Sequence, residues 1–220
     1  MRQRGIFISF EGSEGCGKST QIQSLTETLK RRSLAFVLAR EPGSTAIGEK
    51  IRHLLKYTPV ALCPHTELFL FAASRAQLVR EILQPALLAG SFVICDRFLD
   101  STAVYQGIAR NLPFDLIQCV NRHAIEDCVP DITFLLDMDA HLALKRAIRR
   151  RTAQDPCDRM EEEPPDFYEK VRKGYLERAE KEPERFVILD AEKTADSLSQ
   201  TILKILEARW PFQLKTPYGD

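Results

Sequence analysis

The chain has 220 residues, of which 44% are hydrophobic and 28% are charged, and its 31 Lys and Arg residues balance 31 Asp and Glu residues. This composition is typical of an ordinary globular protein, and the length favours one domain. A formal net charge of zero excludes a global field that would draw the chain to nucleic acid or to a membrane surface, so any affinity for phosphate must be local.

The beginning of the chain does not resemble a targeting segment. Arg2 and Arg4 precede an apolar run of about five residues that ends at Glu11, which is too short for the core of a signal peptide. No later run approaches the length of a membrane span. The six cysteines show no C-x-x-C spacing. We therefore expect a cytoplasmic protein whose cysteines pack as small buried hydrophobes.

Apolar runs and helical patterns alternate along the chain. The predicted strands are the runs 5–10, 35–39, 92–96, 132–138 and 185–190, each nearly continuously apolar as expected of strands covered on both faces. Apolar stripes of helical spacing run over 22–29, 65–89, 117–128, 140–148, 168–175 and 198–209. The alternation predicts an α/β fold, with a five-stranded parallel sheet between two layers of helices. We expect one domain over 1–209 and a C-terminal extension over 210–220.

The first strand leads directly into a phosphate-binding motif. Residues 12–20 fit the pattern G-x-x-x-x-G-K-[ST] between a predicted strand and a predicted helix. Its glycines permit the tight turn that directs main-chain N–H groups at an anion. Lys18 is expected to reach the β- and γ-phosphates of ATP, and the Ser19 hydroxyl is expected to bind Mg²⁺. The predicted ATP-binding residues of the loop are Gly12, Ser13, Glu14, Gly15, Cys16, Gly17, Lys18, Ser19 and Thr20.

Charged residues follow the next predicted strands. Arg40 and Glu41 follow the second strand, and Asp96 and Arg97 follow the third. Ligands of a parallel α/β sheet bind at the carboxyl ends of the strands, where these residues converge. The pair Asp137 and Asp139 after the fourth strand is interpreted as an ordinary polar strand end.

The most polar stretch of the chain is 149–166, which we predict to be a mobile lid because it lacks the apolar residues that would order it. Arg146, Arg149, Arg150 and Arg151 crowd the end of the preceding helix and the start of this lid. Singly, each is best interpreted as part of a solvated basic helix face. As a group they favour an arginine clamp that closes over ATP and excludes water.

These residues indicate phosphoryl transfer to a small molecule. The chain lacks the Asn/Thr-Lys-x-Asp motif of guanine-specific switches and is too short for a motor or helicase. One alternative is a kinase for another nucleotide or a nucleoside. The other is a nucleotide-binding regulator without catalysis, which the presence of Asp96 and the lid arginines disfavours.

Five blocks of the sequence together resemble bacterial thymidylate kinases, which are P-loop nucleoside monophosphate kinases. They occur in the family's order over nearly the whole chain, and the Asp-Arg-Phe to Tyr-Gln-Gly block is the most specific. The blocks are Phe10–Ser19, Arg40–Thr45, Phe71–Arg75, Asp96–Gly107 and Asp158–Glu161. The resemblance implies the three-layer P-loop NTPase fold with an Arg-bearing lid, and an ATP- and Mg²⁺-dependent enzyme that converts dTMP to dTDP for dTTP synthesis. It also implies a homodimer, with no nucleic acid or membrane partner.

The resemblance implies how the thymine base is held. Phe71 would stack on the ring, and Arg75 would donate to a base carbonyl. Thr102 and Gln106 would hydrogen-bond the polar edge of the base, so that other bases would leave polar groups unpaired. Tyr105 would close the space beside C2′ of the sugar and disfavour a ribose hydroxyl.

It also implies roles around the phosphates. Glu14 would contact the 3′-hydroxyl of the sugar, and Arg40 and Arg97 would grip the acceptor phosphate. Asp96 would hold Mg²⁺ or orient the attacking oxygen, and Glu41 would support them. The expected substrate-binding set is Glu14, Arg40, Glu41, Phe71, Arg75, Arg97, Ser101, Thr102, Tyr105 and Gln106. The expected catalytic set is Lys18, Asp96, Arg97 and Arg150, the expected metal ligands are Ser19 and Asp96, and Arg146 and Arg151 complete the ATP site.

Two features depart from the common family pattern. Ser44 stands where a second glycine is common, which is expected to stiffen that loop without removing its chemistry. The phosphate loop contains no arginine, and family members of this kind carry the clamp in the lid. Of the lid arginines we favour Arg150 as the one that contacts the transferred group.

Overall fold

The computed structural model describes residues 4–150, 159, 163–211, 213 and 214, with only the main chain of Arg150. Within this part of the chain the strands are β1 (Phe7–Glu11), β2 (Phe36–Arg40), β3 (Phe92–Asp96), β4 (Ile132–Asp137) and β5 (Phe186–Asp190). All five lie where the apolar runs predicted them. Most of the predicted lid, residues 151–158 and 160–162, lies outside the described residues, as do 212 and 215–220 of the predicted extension.

Nine α-helices and two π-helical segments surround the sheet in the described part of the chain. The α-helices are α1 (Lys18–Arg31), α2 (Ala46–Tyr57), α3 (Pro64–Leu78), α4 (Gln84–Leu88), α5 (Leu99–Thr102), α6 (Phe114–Ile125), α7 (Ala140–Arg150), α8 (Pro165–Lys181) and α9 (Ala195–Arg209). The first π-helical segment is Val79–Leu83 and the second is Ala103–Ala109.

The sheet is parallel throughout and has the strand order β2-β3-β1-β4-β5. The chain moves outward from β1 to β2, returns to β3 and then crosses to β4 on the other side of β1. This reversal opens a crevice at the carboxyl ends of β1 and β3. Phe10 of β1 and Arg40 of β2 are both in register with Asp96 of β3, so the three strand ends are level.

Alternate residues of β1 explain why helices cover both faces. Ile8 and Phe10 pack into one buried cluster together with apolar residues of α1 and α9, whereas Phe7 packs into another with α3, the first π-helical segment and α4. Successive side chains of a strand point to opposite faces, so a continuously apolar strand needs two covers. The predicted α/β architecture, a five-stranded parallel sheet with helices on both faces, is confirmed.

Two details of the predicted core were wrong. The edge strands are only partly covered, because Leu38 of β2 is 54% exposed and Ile188 of β5 is 50% exposed, although Phe36 and Phe186 on the same faces pack against buried clusters. An edge strand has a neighbouring strand on one side only, so some of its side chains meet solvent. Cys63 and Cys119 are exposed, whereas three other described cysteines are buried, so burial is not a general property of the cysteines here.

The helices also differ from the predicted stripes. The 65–89 pattern is not one α-helix, because a π-helical turn precedes Pro85, which cannot donate a main-chain hydrogen bond and crowds the preceding turn. Cys128 lies beyond the end of α6 at Ile125. The segment α2 and the run from α5 through the second π-helical segment were not predicted as elements, and both border the crevice.

Across the residues that the structure describes, the search for a helix both long enough and apolar enough to cross a membrane finds none.

Candidate functional site

The loop between β1 and α1 has the conformation that its glycines predict. Gly12, Gly15 and Gly17 have φ values of 134°, 79° and 103°. A Cβ atom on Gly15 would lie 2.1 Å from the carbonyl oxygen of Ala143 in α7, so no side chain fits there. The loop is thus held against α7 with α1 beginning at Lys18, and the start of a helix attracts anions.

Lys18 is buried inside this loop. Its Nζ donates to the carbonyl oxygens of Gly12 at 3.0 Å and Ser13 at 2.9 Å. These bonds satisfy the ammonium group within the loop and hold it at the floor of the crevice. A polyphosphate lying on the loop could exchange places with these carbonyl groups.

A cavity of about 260 Å³ opens at the carboxyl ends of β1, β2 and β3. Most of the predicted site residues line it. They are Glu14, Gly15, Gly17, Lys18, Ser19, Arg40, Glu41, Phe71, Asp96, Arg97, Ser101, Thr102, Tyr105 and Gln106. The phosphate loop, the ends of β2 and β3, one side of α3 and the second π-helical segment thus meet around a single space.

Arg97 is the most tightly organised cation of the cavity. Its main chain has a φ of 68°, which non-glycine residues seldom adopt and which occurs preferentially at functional sites. Its guanidinium donates to Glu14 Oε1 at 2.8 Å, to Tyr175 Oη at 3.2 Å and to Ser101 Oγ at 3.3 Å. It also lies 5.2 Å from the centre of the Tyr105 ring.

Glu14 responds to the charges around it. Burial alone would raise the pKa of this carboxyl, but the Arg97 and Lys18 charges and the hydrogen bond from Arg97 lower the pKa to about 2. A carboxylate beside a phosphate loop is therefore stabilised in its ionised form by the cations that a phosphate would also use.

A buried layer supports Arg97 from below. Glu11, at the end of β1, accepts from the main-chain N–H of Phe98, from Ser101 Oγ and from Tyr175 Oη, each at 2.7 Å. Burial, and then the negative charge of Asp100, raise the pKa of Glu11. Neither Glu11 nor Tyr175 was predicted as a site residue. Tyr175 was interpreted only as part of an apolar stripe, because its contact with Arg97 spans 78 positions of the chain.

Asp96 offers an acceptor without a protein donor. Its Oδ1 is buried and has no hydrogen-bond partner among the described residues, and Asp96 lines the cavity together with Ser19. Buried polar atoms are normally paired, so this oxygen is suited to a ligand. The described residues contain no group of three or more His, Cys, Asp or Glu side chains arranged for a metal ion. That fits Mg²⁺, which often takes few protein ligands and completes its shell with phosphate and water.

Arg40, the last residue of β2, and Glu41, which follows it, both line the cavity. Arg40 is half exposed and donates to both carboxylate oxygens of Glu49 at 3.0 Å. Ser44 has a φ of 68°, and its hydroxyl accepts from the main-chain N–H of Arg40 at 2.8 Å. Glycine adopts this main-chain conformation without strain, which explains why it is a natural choice at this position. In Ser44 the hydrogen bond to the hydroxyl partly compensates for the strain of the positive φ.

Arg75 is fully buried and does not line the cavity. Its Nε donates to both oxygens of Glu41 at 3.0 and 2.8 Å, and its other nitrogens donate to Asn121 Oδ1 at 2.7 Å and Thr102 Oγ1 at 2.8 Å. Burial raises the pKa of Glu41 to about 7, although the Arg75 charge acts in the opposite direction. The expected contact of Arg75 with a base stays a prediction, since in this structure its donors face protein acceptors.

One wall of the cavity combines a ring with polar groups. Phe71 is half buried and lines the cavity, although its apolar helix alone would suggest a core position. Thr102 and Gln106 face the same space from α5 and the second π-helical segment. Burial raises the pKa of the Tyr105 hydroxyl, whose oxygen has no hydrogen-bond partner in the described part of the chain.

Some predicted residues do not line the cavity. In the phosphate loop these are Gly12, Ser13, Cys16 and Thr20, which shape it from behind. Arg146 donates to the carbonyl oxygen of Ala191 at 3.4 Å, just after β5. The side chain of Arg150 and all of Arg151 lie outside the described residues.

Some lining residues were not predicted. Pro42, Arg52, Leu55 and Lys56 line the cavity, and three of them belong to α2, which the sequence analysis did not identify as an element. One feature of the sequence could have pointed to these residues. Close after Arg40, a single helical turn combines the basic residues Arg52 and Lys56 with the apolar Leu55. Asp137 and Asp139 do not line the cavity: Asp137 pairs with Arg172, and Asp139 caps the start of α7.

Comparisons with known proteins agree on one family. The family model for thymidylate kinase matches residues 10–202. A thymidylate kinase of Desulfosudis oleivorans is 46% identical over 206 residues, covering 92% of this chain and 96% of that protein. One of Dehalococcoides mccartyi is 46% identical over 214 residues, covering 96% and 99%. The crystal structure of thymidylate kinase from Ehrlichia chaffeensis superimposes with a TM-score of 0.74 at 33% identity, covering 92% of this chain and 99% of that one.

Proposed function

The chain belongs to the thymidylate kinase family, and we propose that the family reaction, transfer of a phosphoryl group from ATP to dTMP, takes place in the cavity at the carboxyl ends of β1, β2 and β3. The chain is thus a nucleotide kinase whose product, dTDP, serves dTTP synthesis. One observation carries the proposal for the site. The phosphate loop and the wall that contains Phe71, Thr102 and Gln106 line the same space.

We propose that ATP lies on the phosphate loop. Main-chain N–H groups of the loop and Lys18 bind the phosphates, and Lys18 exchanges the carbonyl groups of Gly12 and Ser13 for phosphate oxygens. Arg146, which bonds to the chain just after β5, lies on the adenosine side of the loop in this arrangement. Arg150 or its neighbour Arg151 supplies the lid cation, with Arg150 favoured.

We propose that the acceptor dTMP occupies the other end of the cavity. Phe71 stacks on the base, Tyr105 lies beside C2′, and Glu14 accepts from the 3′-hydroxyl. Arg97 and Arg40, with Ser101, bind the acceptor phosphate. Transfer is then a direct in-line displacement in which one acceptor-phosphate oxygen attacks the γ-phosphorus of ATP, and the enzyme contributes position and positive charge.

The reaction is expected to use Mg²⁺. Ser19 and Asp96 would hold the ion, since both line the cavity and Asp96 Oδ1 has no protein donor in the described part of the chain. When bound, the ion neutralises charge on the phosphates of ATP.

Kinetics with a panel of acceptors tests the proposal. With ATP and Mg²⁺, kcat/KM for dTMP should exceed the values for dCMP and dAMP by a wide margin and that for dUMP by a smaller one, because dUMP lacks only the methyl group. Preference for a base other than thymine would overturn the assignment of the cavity. Bound ATP without transfer to any acceptor would instead favour a nucleotide-binding regulator.

We also propose that the active form is a homodimer in the cytoplasm. Phe69 on α3 and Phe114 on α6 are 53% and 58% exposed, which is unusual for phenylalanine and suits an interface on these helices. Sedimentation should give twice the monomer mass, and Phe114→Glu should shift the mass towards the monomer. A wild-type protein that sediments as a monomer would contradict this.

A further inference from the structure

The helix α3 presents a carboxylate, an aromatic ring and a guanidinium in one stripe. Glu67, Phe71 and Arg75 are spaced by four residues, so they share a helix face. Opposite this face, Thr102 and Gln106 belong to the run formed by α5 and the second π-helical segment. Two hydrogen bonds join the two sides, from Arg75 to Thr102 at 2.8 Å and from Gln106 to Glu67 at 2.7 Å. Each bond uses one hydrogen-bonding group of a side chain that lines the cavity, so only the remaining group of Thr102 or Gln106 is available to a base.

The bond to Glu67 determines the direction of the Gln106 amide. Glu67 is 1% exposed and accepts from Gln106 Nε2 at 2.7 Å, from Arg159 Nη2 at 2.6 Å and from Arg110. Burial alone would raise the pKa of Glu67, but these bonds and the Arg110 charge lower it. An ionised carboxylate can only accept hydrogen bonds, so the amide NH₂ group must face it and the carbonyl oxygen of Gln106 must face away.

The two arginines make this arrangement possible. A buried carboxylate is costly unless it is paired, and Arg110 and Arg159 each bond to Glu67 with only 18% of their side chains exposed. Arg110 also bonds to Glu163. Oε1 of Glu67 accepts from Gln106 and from Arg110, and its Oε2 accepts from Arg159 and Arg110. Of these three partners, Gln106 is the one that lines the cavity.

The groups left free match the edge of thymine. Among the described residues nothing donates to the Gln106 side-chain carbonyl oxygen, and nothing accepts from the Thr102 hydroxyl, whose oxygen already accepts from Arg75. The wall thus offers one donor and one acceptor. Thymine carries an acceptor at O4 and a donor at N3–H, whereas cytosine carries a donor at N4 and an acceptor at N3.

From this geometry we infer that Glu67 is a positioning residue for base selection, which orients Gln106 so that its carbonyl oxygen accepts from a ring N–H and rejects a cytosine-like edge. This inference rests on the proposed function, since it assumes that dTMP occupies the cavity. Glu67 itself does not line the cavity and acts only through Gln106.

Four enzymes test the inference: the wild type, Glu67→Gln, Gln106→Leu and the double variant. The measured quantity is the ratio of kcat/KM for dTMP to kcat/KM for dCMP. Glu67→Gln should lower this ratio about tenfold, because residue 67 can then donate and Gln106 can turn its NH₂ group to the base. The double variant should have the same ratio as Gln106→Leu alone, because Glu67 acts only through Gln106.

Glu163→Gln is the matched control. It removes a carboxylate from Arg110 and leaves the bond between Gln106 and Glu67 in place, so the ratio should stay at the wild-type value. If Glu67→Gln instead lowers kcat/KM for dTMP and dCMP by one common factor, Glu67 has only a structural role and the inference is overturned. An unchanged ratio in Gln106→Leu would overturn the proposed site itself.

A second measurement applies if Glu67→Gln does not fold. In the NMR spectrum of the free wild-type enzyme, one Nε2 proton of Gln106 should be shifted downfield and exchange slowly with solvent, because it is bonded to a buried carboxylate. Two fast-exchanging, unshifted protons would contradict the inference.

Discussion

The side of the cavity proposed to hold the base and the side proposed to hold the acceptor phosphate use arginine in opposite ways. On the base side Arg75 has 1% of its side chain exposed and donates to Glu41, Asn121 and Thr102. On the phosphate side Arg97 and Arg40 have 13% and 54% of their side chains exposed and are bonded to Glu14 and Glu49. The first arrangement is part of the folded framework, whereas the second holds cations whose partners a phosphate could replace.

This difference indicates which half of the site already has its hydrogen bonds in place in the absence of substrate. Buried polar groups must be paired in the folded protein, so the base side has fixed donors and acceptors. The pair between Arg40 and Glu49, in which both side chains are about half exposed, contributes little to stability and can be exchanged at little cost. In the other pair Arg97 is largely buried, but its partner Glu14 is 40% exposed. We expect changes on the phosphate side to affect rate, and changes on the base side to affect stability and selection.

The largest expected effect is that of Lys18→Ala. It removes the one lysine of the phosphate loop, and kcat should fall by about 10³-fold or more, since the developing charge on the phosphates loses a placed cation. The melting temperature should change little, because the side-chain hydrogen bonds of Lys18, to the carbonyl oxygens of Gly12 and Ser13 and to Cys16 Sγ, all lie within the phosphate loop. Steady-state kinetics and calorimetry check both statements. A variant that retains near-normal kcat would remove Lys18 from the catalytic set.

The second prediction compares two arginine–glutamate pairs. Arg75→Met should lower the free energy of unfolding by about 3–5 kcal/mol, because it leaves several buried acceptors without a donor. Arg40→Met, at the exposed pair with Glu49, should cost less than about 1 kcal/mol. Urea denaturation of both variants measures the difference. Equal losses would show that the two sides of the cavity do not differ in the way described here.

The third prediction concerns the acceptor phosphate. Arg97→Ala should lower kcat/KM for dTMP about 10²-fold, while the apparent KM for ATP changes much less, because Arg97 is proposed to bind the acceptor phosphate. Arg97→Lys should recover only part of the loss, since lysine cannot form the planar two-point contact of a guanidinium. If the kinetics with dTMP stay at the wild-type values, Arg97 does not bind the acceptor.

The smallest expected effects are two pH dependences of opposite sign. Glu14, with its pKa lowered to about 2, should contribute stability above about pH 4.5 that is lost as the pH falls towards 2. Glu41, with its pKa raised to about 7, should contribute stability below about pH 4.5 that is lost as the pH rises through 7. Unfolding free energies across this range for Glu14→Gln and Glu41→Gln should each lose the corresponding slope. Slopes of the same sign would contradict the assignment.

The sequence was sufficient for the framework of the site. Continuous apolar runs located all five strands, and the spacing of glycines with Lys18 located the phosphate loop, because both patterns are local in the chain. The sequence also predicted that the charged residues at the ends of β2 and β3 lie close together, since parallel strands end at one edge of a sheet.

The sequence was not sufficient for the partners of the site residues. The contacts of Arg75 with Glu41 and Asn121 join positions 34 and 46 residues apart, and the bond from Gln106 to Glu67 spans 39. No local pattern distinguishes a buried Glu67 from a solvated one, because charged residues occur on most helices. The π-helical turns that carry Val79 and Tyr105 likewise depend on packing more than on propensity.

A crystal structure of the chain with dTMP tests the central claim most directly. We predict the nucleotide in the cavity at the ends of β1, β2 and β3, its base against Phe71 and its phosphate bonded to Arg97. The bond from Arg97 to Glu14 should be lengthened or lost, and the pair between Arg75 and Glu41 should remain as it is in the free chain. A nucleotide bound elsewhere, or an Arg75 that leaves Glu41 while Arg97 keeps its bond to Glu14, would contradict the account.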